Sequence, residues 1–146
     1  MVEEDVYFYL RKEKNGCFSN FERAIQKIGD EEYSCNEVFY QSVKTNKKEL
    51  SEWLKNAPIP YYAMVVGHNL RKEDMKENWD AMKNDVMLEG LRAKFSQNPD
   101  LKAKLIATYP ARLHENSPTD LYWGVKGKDM LGKLLMKVRD ELMGVK

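Results

Sequence analysis

Glu37, Tyr40, Gln41 and Lys44 are spaced i, i+3, i+4 and i+7. A helix through them would carry a carboxylate, a phenol, an amide and an amine on one face. Such a face can line a pocket for a polar substrate, or it can be an ordinary solvated surface. Glu37 also follows Ser34 at the spacing of a capping box, in which the glutamate reaches back to a backbone N–H. Lys44 reads as a solvated lysine or, with its pKa lowered by burial, as an amine able to attack an aldehydic sugar carbon and form a Schiff base. Tyr40 and Gln41 read equally as surface groups or ligand contacts.

Two further groups extend the set. Trp79 and Lys83 are i, i+4 on a long predicted helix; the indole suits core packing, or stacking on a base at the wall of a cleft. Asp120 lies in Ser117-Pro118-Thr119-Asp120, followed by Trp123-Gly124. It could be a turn residue with an Asx-type hydrogen bond, and the Trp-Gly pair could be a ligand wall or a core corner. Two acids, a lysine and indole rings suit cleavage of an N-glycosidic bond, which passes through an oxocarbenium-like transition state. One carboxylate stabilises the sugar cation or activates water while an acid helps the base depart. No Gly-rich phosphate loop or Ser-His-Asp pattern is present. The two histidines and two cysteines form no CxxC or HExxH motif, so neither a metal nor a cofactor is expected.

The elements that must position these residues are mostly helices. Val2 to Leu10 reads as a strand, and Asn15-Gly16 as a hairpin turn with a second short strand after it. Ile28-Gly29-Asp30 is another turn. Helices are predicted over about Asn36 to Thr45, Lys47 to Asn56 (stopped by Pro58 and Pro60), and Lys76 to Gln97. A short one, Leu101 to Ala107, would be capped by Asp100. The last helix follows Gly127, with the apolar stripe Leu131, Leu134, Leu135, Val138 and Leu142 and a stop at Gly144. Tyr109 to Gly124 reads as irregular. The fold class is mainly α, a compact single domain over residues 1–146 with a small N-terminal β element.

Composition narrows the partners. Of 146 residues, 42% are hydrophobic and 32% charged, which suits a globular protein. The 24 basic and 23 acidic residues leave a net charge of +1, too balanced for a general nucleic-acid binder. No apolar run approaches the ~18 residues that span a membrane, and the acidic N-terminus is unlike a signal peptide. A cytoplasmic location is expected, with Cys17 and Cys35 as free, small buried side chains.

Taken together the segments resemble the YbiA-like family, also called NADAR (NAD- and ADP-ribose-associated). The matching pieces run in the family's order: Phe18-Ser19-Asn20-Phe21; Glu37 to Gln41 with Lys44; Ala63 to Gly67; Trp79 with Lys83; Met87 and Lys94 to Asn98; Leu105 with Thr108; Leu113 with Glu115; Ser117-Pro118 with Asp120, Trp123 and Gly124; and Leu131 to Met136 with Val138-Arg139. The resemblance covers about residues 17–143. It implies a mainly helical domain that hydrolyses N-glycosidic bonds to ribose without a cofactor. One branch of the family releases the pyrimidine base from early ribosyl-phosphate intermediates of riboflavin biosynthesis; another removes ADP-ribose from guanine. The expected partner is therefore a small ribosyl phosphate or an ADP-ribosyl nucleotide, with ADP-ribosylated nucleic acid a further candidate and no membrane.

The resemblance places Glu37, Trp79 and Asp120 at the family's acidic and aromatic site positions and Lys44 at the lysine after its Tyr-Gln pair. Asn20, Tyr40, Gln41, Arg71, Lys83, Trp123 and Gly124 are expected binding contacts. Three departures bear on substrate choice. Gly67-His68 stands where the family has Gly-Arg, with Arg71 as a displaced candidate phosphate anchor. Lys76-Glu77-Asn78-Trp79 replaces Arg-x-Asp-Trp, and Asp129 replaces an asparagine. The rival function is a module that binds ADP-ribose or a nucleotide without turnover.

Overall fold

The computed structural model describes residues 4–145. In chain order the elements are β1 (Asp5–Phe8), a 3-10 turn (Gly16–Phe18), β2 (Gln26–Ile28), β3 (Glu31–Tyr33), α1 (Asn36–Val43), α2 (Lys48–Lys55), α3 (Pro60–His68), a second 3-10 turn (Lys72–Asp74), α4 (Trp79–Gln97), α5 (Pro99–Ala107), β4 (Arg112–Glu115) and α6 (Met130–Met143). The mainly helical class is as predicted. Residues 4–22 and 95–145 form one compact unit, and Arg23–Lys94 form the other.

In the first unit β1 pairs in parallel with β4, from Asp5 opposite Arg112 to Phe8 opposite Glu115. Parallel pairing needs a long crossover, and the strands are indeed far apart in sequence. Phe8, Phe18 and Phe95 pack ring against ring beside buried Leu113. Leu131, Leu135 and Val138 of the α6 stripe are buried as the 3.6-residue period predicts. Buried Arg139 ties α6 to the end of α5, donating from Nη1 to Thr108 Oγ1 (2.9 Å) and to the Ala111 carbonyl (2.7 Å).

In the second unit β2 and β3 form an antiparallel hairpin about the expected Ile28-Gly29-Asp30 turn. Cys35, Val38, Leu54 and Ala63 form a core, with Tyr33, Leu50, Ala57 and Val66 packed on it. Gln26 and Asn36, both fully buried, are joined by an Nε2–Oδ1 hydrogen bond of 3.0 Å. Asn36 also donates to Met87 Sδ of α4 at 3.3 Å.

Several expectations are corrected. The Asn15-Gly16 hairpin does not form: Gly16 opens a 3-10 turn because the chain coils back through Glu13 N–H to Leu10 O and Gly16 N–H to Glu13 O. A side chain at Gly16 would run into the backbone of Leu10 and Arg11. The described part of the predicted Val2 to Leu10 strand is Asp5–Phe8; residues 1–3 lie outside the described residues. The Pro58/Pro60 stop is also a start, because Pro60 is the first residue of α3, which the sequence reading did not anticipate. Pro99 likewise opens α5, whose N-cap is Asn98 and not Asp100. Proline suits the first helical turn, where no N–H is needed. α4 begins at Trp79, not Lys76, with Asn78 O accepting from the amides of Ala81 and Met82. The stretch read as irregular contains β4. The N-cap of α1 is Cys35, one residue later than a Ser34–Glu37 capping box requires.

Candidate active site

α1 is buried almost all round, so its polar stripe is not a solvated face. Glu37, Tyr40 and Gln41 are only 7%, 6% and 1% exposed. Buried polar groups must be paired, and here they pair with one another. Gln41 Nε2 donates to Glu37 Oε2 at 2.7 Å, the i, i+4 contact the spacing predicts. The rest of the Gln41 amide lies flat on α3 at Gly67, where a Cβ would overlap it. Gln41 Oε1 is buried there without a hydrogen-bond partner.

Lys44, the C-cap residue of α1, reaches the same point and donates from Nζ to the Gly67 carbonyl at 2.9 Å. Burial pushes its pKa below that of an ordinary lysine. The Glu37 carboxylate opposes that shift, Lys83 adds to it, and Asp80 opposes it. Lys83 pairs with Asp80 at 3.4 Å on the first turn of α4. Trp79, 4% exposed, packs its ring on Tyr40 with centroids 5.2 Å apart. The tryptophan is thus core-packed, and it acts as the wall behind Tyr40.

This unit therefore brings together Glu37, Tyr40, Gln41, Lys44, Trp79 and Lys83. Arg71 is not among them: its side chain is 80% exposed and pairs with Glu73 at 3.7 Å. His68 is exposed at the end of α3. The segment carrying Arg71 is nonetheless tied to α1. Asn46 donates to the Met75 carbonyl (3.2 Å), Thr45 Oγ1 to Asp74 O (2.5 Å), and the Lys76 amide to Lys44 O (3.0 Å). Thr45, Asn46, Gly67 and Asp80 were not singled out from sequence as functional. Gly67 inside an otherwise helical run and the i, i+3 spacing of Asp80 and Lys83 were the only local signals.

Asn20, Asp120, Trp123 and Gly124 belong to the other unit. Asn20 is buried just after the 3-10 turn. Asp120 makes the Asx-type turn: Oδ1 accepts from the amides of Tyr122 (2.9 Å) and Trp123 (2.8 Å), and its own amide donates to Ser117 Oγ (3.0 Å). No hydrogen bond to Oδ2 is seen among the described residues. Trp123 packs edge-on against Tyr122 at 4.8 Å. A Cβ at Gly124 would lie 2.5 Å from the Asp120 carbonyl, so that tight turn excludes other residues. Cys17 and Cys35 are buried free thiols, and burial pushes the Cys35 thiol up, away from nucleophilic use.

A buried carboxylate oriented by an amide, beside an amine of lowered basicity, can exchange protons with a substrate or form a covalent adduct with a carbonyl-like carbon. The NADAR domain model matches residues 7–143. The chain belongs to the NADAR family. It is 36% identical to N-glycosidase YbiA of Shigella boydii, over 97% of this chain and 91% of that protein. It is 31% identical to the riboflavin biosynthesis protein PYRR of Zea mays, matching 95% of this chain but only 25% of that longer protein. The NMR structure of the E. coli protein YbiA superposes with a TM-score of 0.89 at 35% identity, covering 98% of this chain and 87% of that one.

Proposed function

We infer that this NADAR-family N-glycosidase releases the base from a ribosyl-pyrimidine phosphate of the kind formed early in riboflavin biosynthesis. The observation that carries the reading is the buried Glu37–Gln41 pair beside Lys44, an amine whose basicity is reduced by burial. A binding module gains nothing from a lysine with lowered pKa next to a buried carboxylate. A hydrolase gains a nucleophile and a proton carrier. The riboflavin-biosynthesis name of the maize relative supports the choice of base.

In the proposed reaction neutral Lys44 keeps one N–H on the Gly67 carbonyl, which aims its lone pair. Nζ attacks C1′ of the ribose, and the C1′–base bond breaks with its electron pair leaving on the base nitrogen. Glu37 gives that nitrogen a proton and takes one from the attacking amine. The C1′–O4′ bond then breaks to leave an iminium on Nζ, and Glu37 passes the proton it took to O4′, becoming a carboxylate again. Water, activated by the Glu37 carboxylate, adds at C1′ and returns the free amine and ribose phosphate. Gln41 holds Glu37 in orientation, and Tyr40 backed by Trp79 forms an aromatic wall. On the family resemblance alone, Asp120 is proposed as a further carboxylate of the reaction, through Oδ2. Among the described residues no helix is long and apolar enough to cross a membrane. The two free thiols suit a reducing compartment, and we place the reaction in the cytoplasm.

The test is a mass-spectrometric time course on two substrates, an aminopyrimidine ribose phosphate and ADP-ribosylated guanosine, with cyanoborohydride added to a parallel sample. Release of the pyrimidine, with a reduced sugar adduct on Lys44, is expected. Release of guanine only would move the substrate to the ADP-ribosyl branch. Binding of ADP-ribose with no release from either would make the protein a reader. Turnover without an adduct, retained in Lys44→Arg, would remove Lys44 as nucleophile.

A further inference from the structure

The end of α1 is held by a segment far along the chain. The last carbonyls of a helix have no partner within it. That of Lys44 accepts instead from the Lys76 amide at 3.0 Å, and the Asn46 amide donates to the Asp74 carbonyl at 3.2 Å. These bonds make an isolated antiparallel bridge between Thr45 and Met75. Side chains tighten it. Thr45 Oγ1 donates to the same Asp74 carbonyl at 2.5 Å and accepts from the Lys47 amide at 3.1 Å. Asn46 Nδ2 donates to the Met75 carbonyl at 3.2 Å. Lys47 is the N-cap of α2 and Asp74 ends the second 3-10 turn, so one hydroxyl joins three segments. Thr45 is 4% exposed, whereas Asn46 is open to solvent. Water competes little for a buried hydroxyl, so Thr45 makes the firmer tie.

The bridge bears on the amine next to it. Lys44 is strung between two anchors: its backbone at the bridge, and Nζ on the Gly67 carbonyl of α3. A lysine stem is flexible, so the amine has a defined reach only when the backbone end is fixed as well. The same bridge leads into the aromatic wall. The Lys76 carbonyl accepts from the Trp79 amide at 3.2 Å, and the Trp79 ring packs on Tyr40 of α1. Lys76 therefore takes up Lys44 with its amide and Trp79 with its carbonyl.

We propose that Thr45 is a positioning residue, whose buried hydroxyl closes the bridge to Met75 and so fixes where the Lys44 amine can reach. It acts through the Lys44 backbone alone. The consequence for turnover rests on the reading of Lys44 as nucleophile; the positioning itself does not. Near-attack geometry is demanding enough that a misplacement of about 1 Å costs on the order of a hundredfold in rate. Valine has the shape of threonine without the hydroxyl. Its introduction leaves the Asp74 carbonyl with the Asn46 amide, and Lys47 is exposed, where water can take its amide. Thr45→Val is therefore expected to fold.

The experiment compares wild type with Thr45→Val, Thr45→Ser and Ser51→Ala. Ser51 Oγ donates to the Ser42 carbonyl at 2.7 Å and takes no part in the bridge, so its loss controls for stability alone. Three quantities are read: hydrogen exchange of the Asn46 and Lys76 amides, the pH at which the Lys44 amine becomes open to labelling, and kcat and KM for base release from an aminopyrimidine ribose phosphate. The first two need no substrate. In Thr45→Val exchange of both amides should rise about five- to tenfold. The labelling onset should move up towards that of an ordinary lysine, as the looser stem carries the amine out of its burial. The fall in kcat should be about tenfold or more, with KM within about twofold. Thr45→Ser should restore all three, and Ser51→Ala should lower the unfolding midpoint with none of them changed. An unmoved labelling onset in Thr45→Val, no rescue by serine, or the same changes in Ser51→Ala overturns the proposal. A shifted onset rescued by serine, with kcat unchanged, supports the positioning and overturns Lys44 as nucleophile.

Discussion

Gly67→Ala is the sharpest test of how the buried stripe is held. The added methyl would overlap Oε1 and Cδ of Gln41, a side chain only 1% exposed. The amide must therefore leave Glu37. Oε1 accepts no hydrogen bond, so nothing is lost on that side; the loss is the Nε2–Glu37 bond of 2.7 Å. Overpacking of a core costs about 1–3 kcal/mol, and a hydrogen bond to a charged group about 1.5–3 kcal/mol. Alanine recovers about 1 kcal/mol over glycine in a helix. The net expectation is a destabilisation of about 1.5–5 kcal/mol, which at a urea m-value of about 2 kcal/mol/M lowers the midpoint by roughly 1–2.5 M. Equilibrium unfolding in urea reads this directly, with m unchanged. Removing the amide should relieve the clash, so Gly67→Ala with Gln41→Ala should be at least about 1 kcal/mol more stable than the sum of the single changes. A Gly67→Ala midpoint equal to or above wild type, or strict additivity, would refute the packing of Gln41 on Gly67.

Four more outcomes are expected. Asp120→Asn keeps an Oδ1 acceptor for the Tyr122 and Trp123 amides, so thermal unfolding should stay near wild type while base release falls; Asp120→Ala should lose about 1 kcal/mol as well. Equal activity in wild type and Asp120→Asn would exclude Oδ2 from the chemistry. Lys44 should become reactive below the pH of an ordinary lysine, and Glu37→Gln should move that onset lower still, because Glu37 raises the Lys44 pKa; the pH dependence of amine labelling at Lys44 reads both. The linked stability has a definite sign. With its folded pKa lowered, Lys44 binds fewer protons folded than unfolded, so stability rises with pH from the lowered value up to the ordinary one, and Lys44→Met should remove that slope in pH-dependent denaturation. Trp79→Ala should cost about 3–5 kcal/mol, as a buried indole stacked on Tyr40, whereas an exposed base-stacking residue would leave the unfolding midpoint almost unchanged.

What could be read in the chain was local and periodic. The i, i+4 spacing put Glu37 against Gln41, the stripe from Leu131 to Val138 faced a core, Gly144 stood as the C-cap of α6, and the ordered family motifs reached nearly from end to end. These depend on helical geometry or on residue order, both of which are present in one dimension. Proline misled because its meaning depends on which side the helix lies, and Pro60 begins a helix where it was read as ending one. Tertiary structure decided whether the polar stripe met water or protein, because desolvation is a property of neighbours such as Gly67 and Trp79 that arrive from far along the chain. It also paired β1 with β4, and so set Asp5 beside His114, whose other nitrogen meets Asp129. No local pattern links those three residues. They meet because a parallel strand pair must be closed by a long crossover, and only the folded chain brings its two ends together.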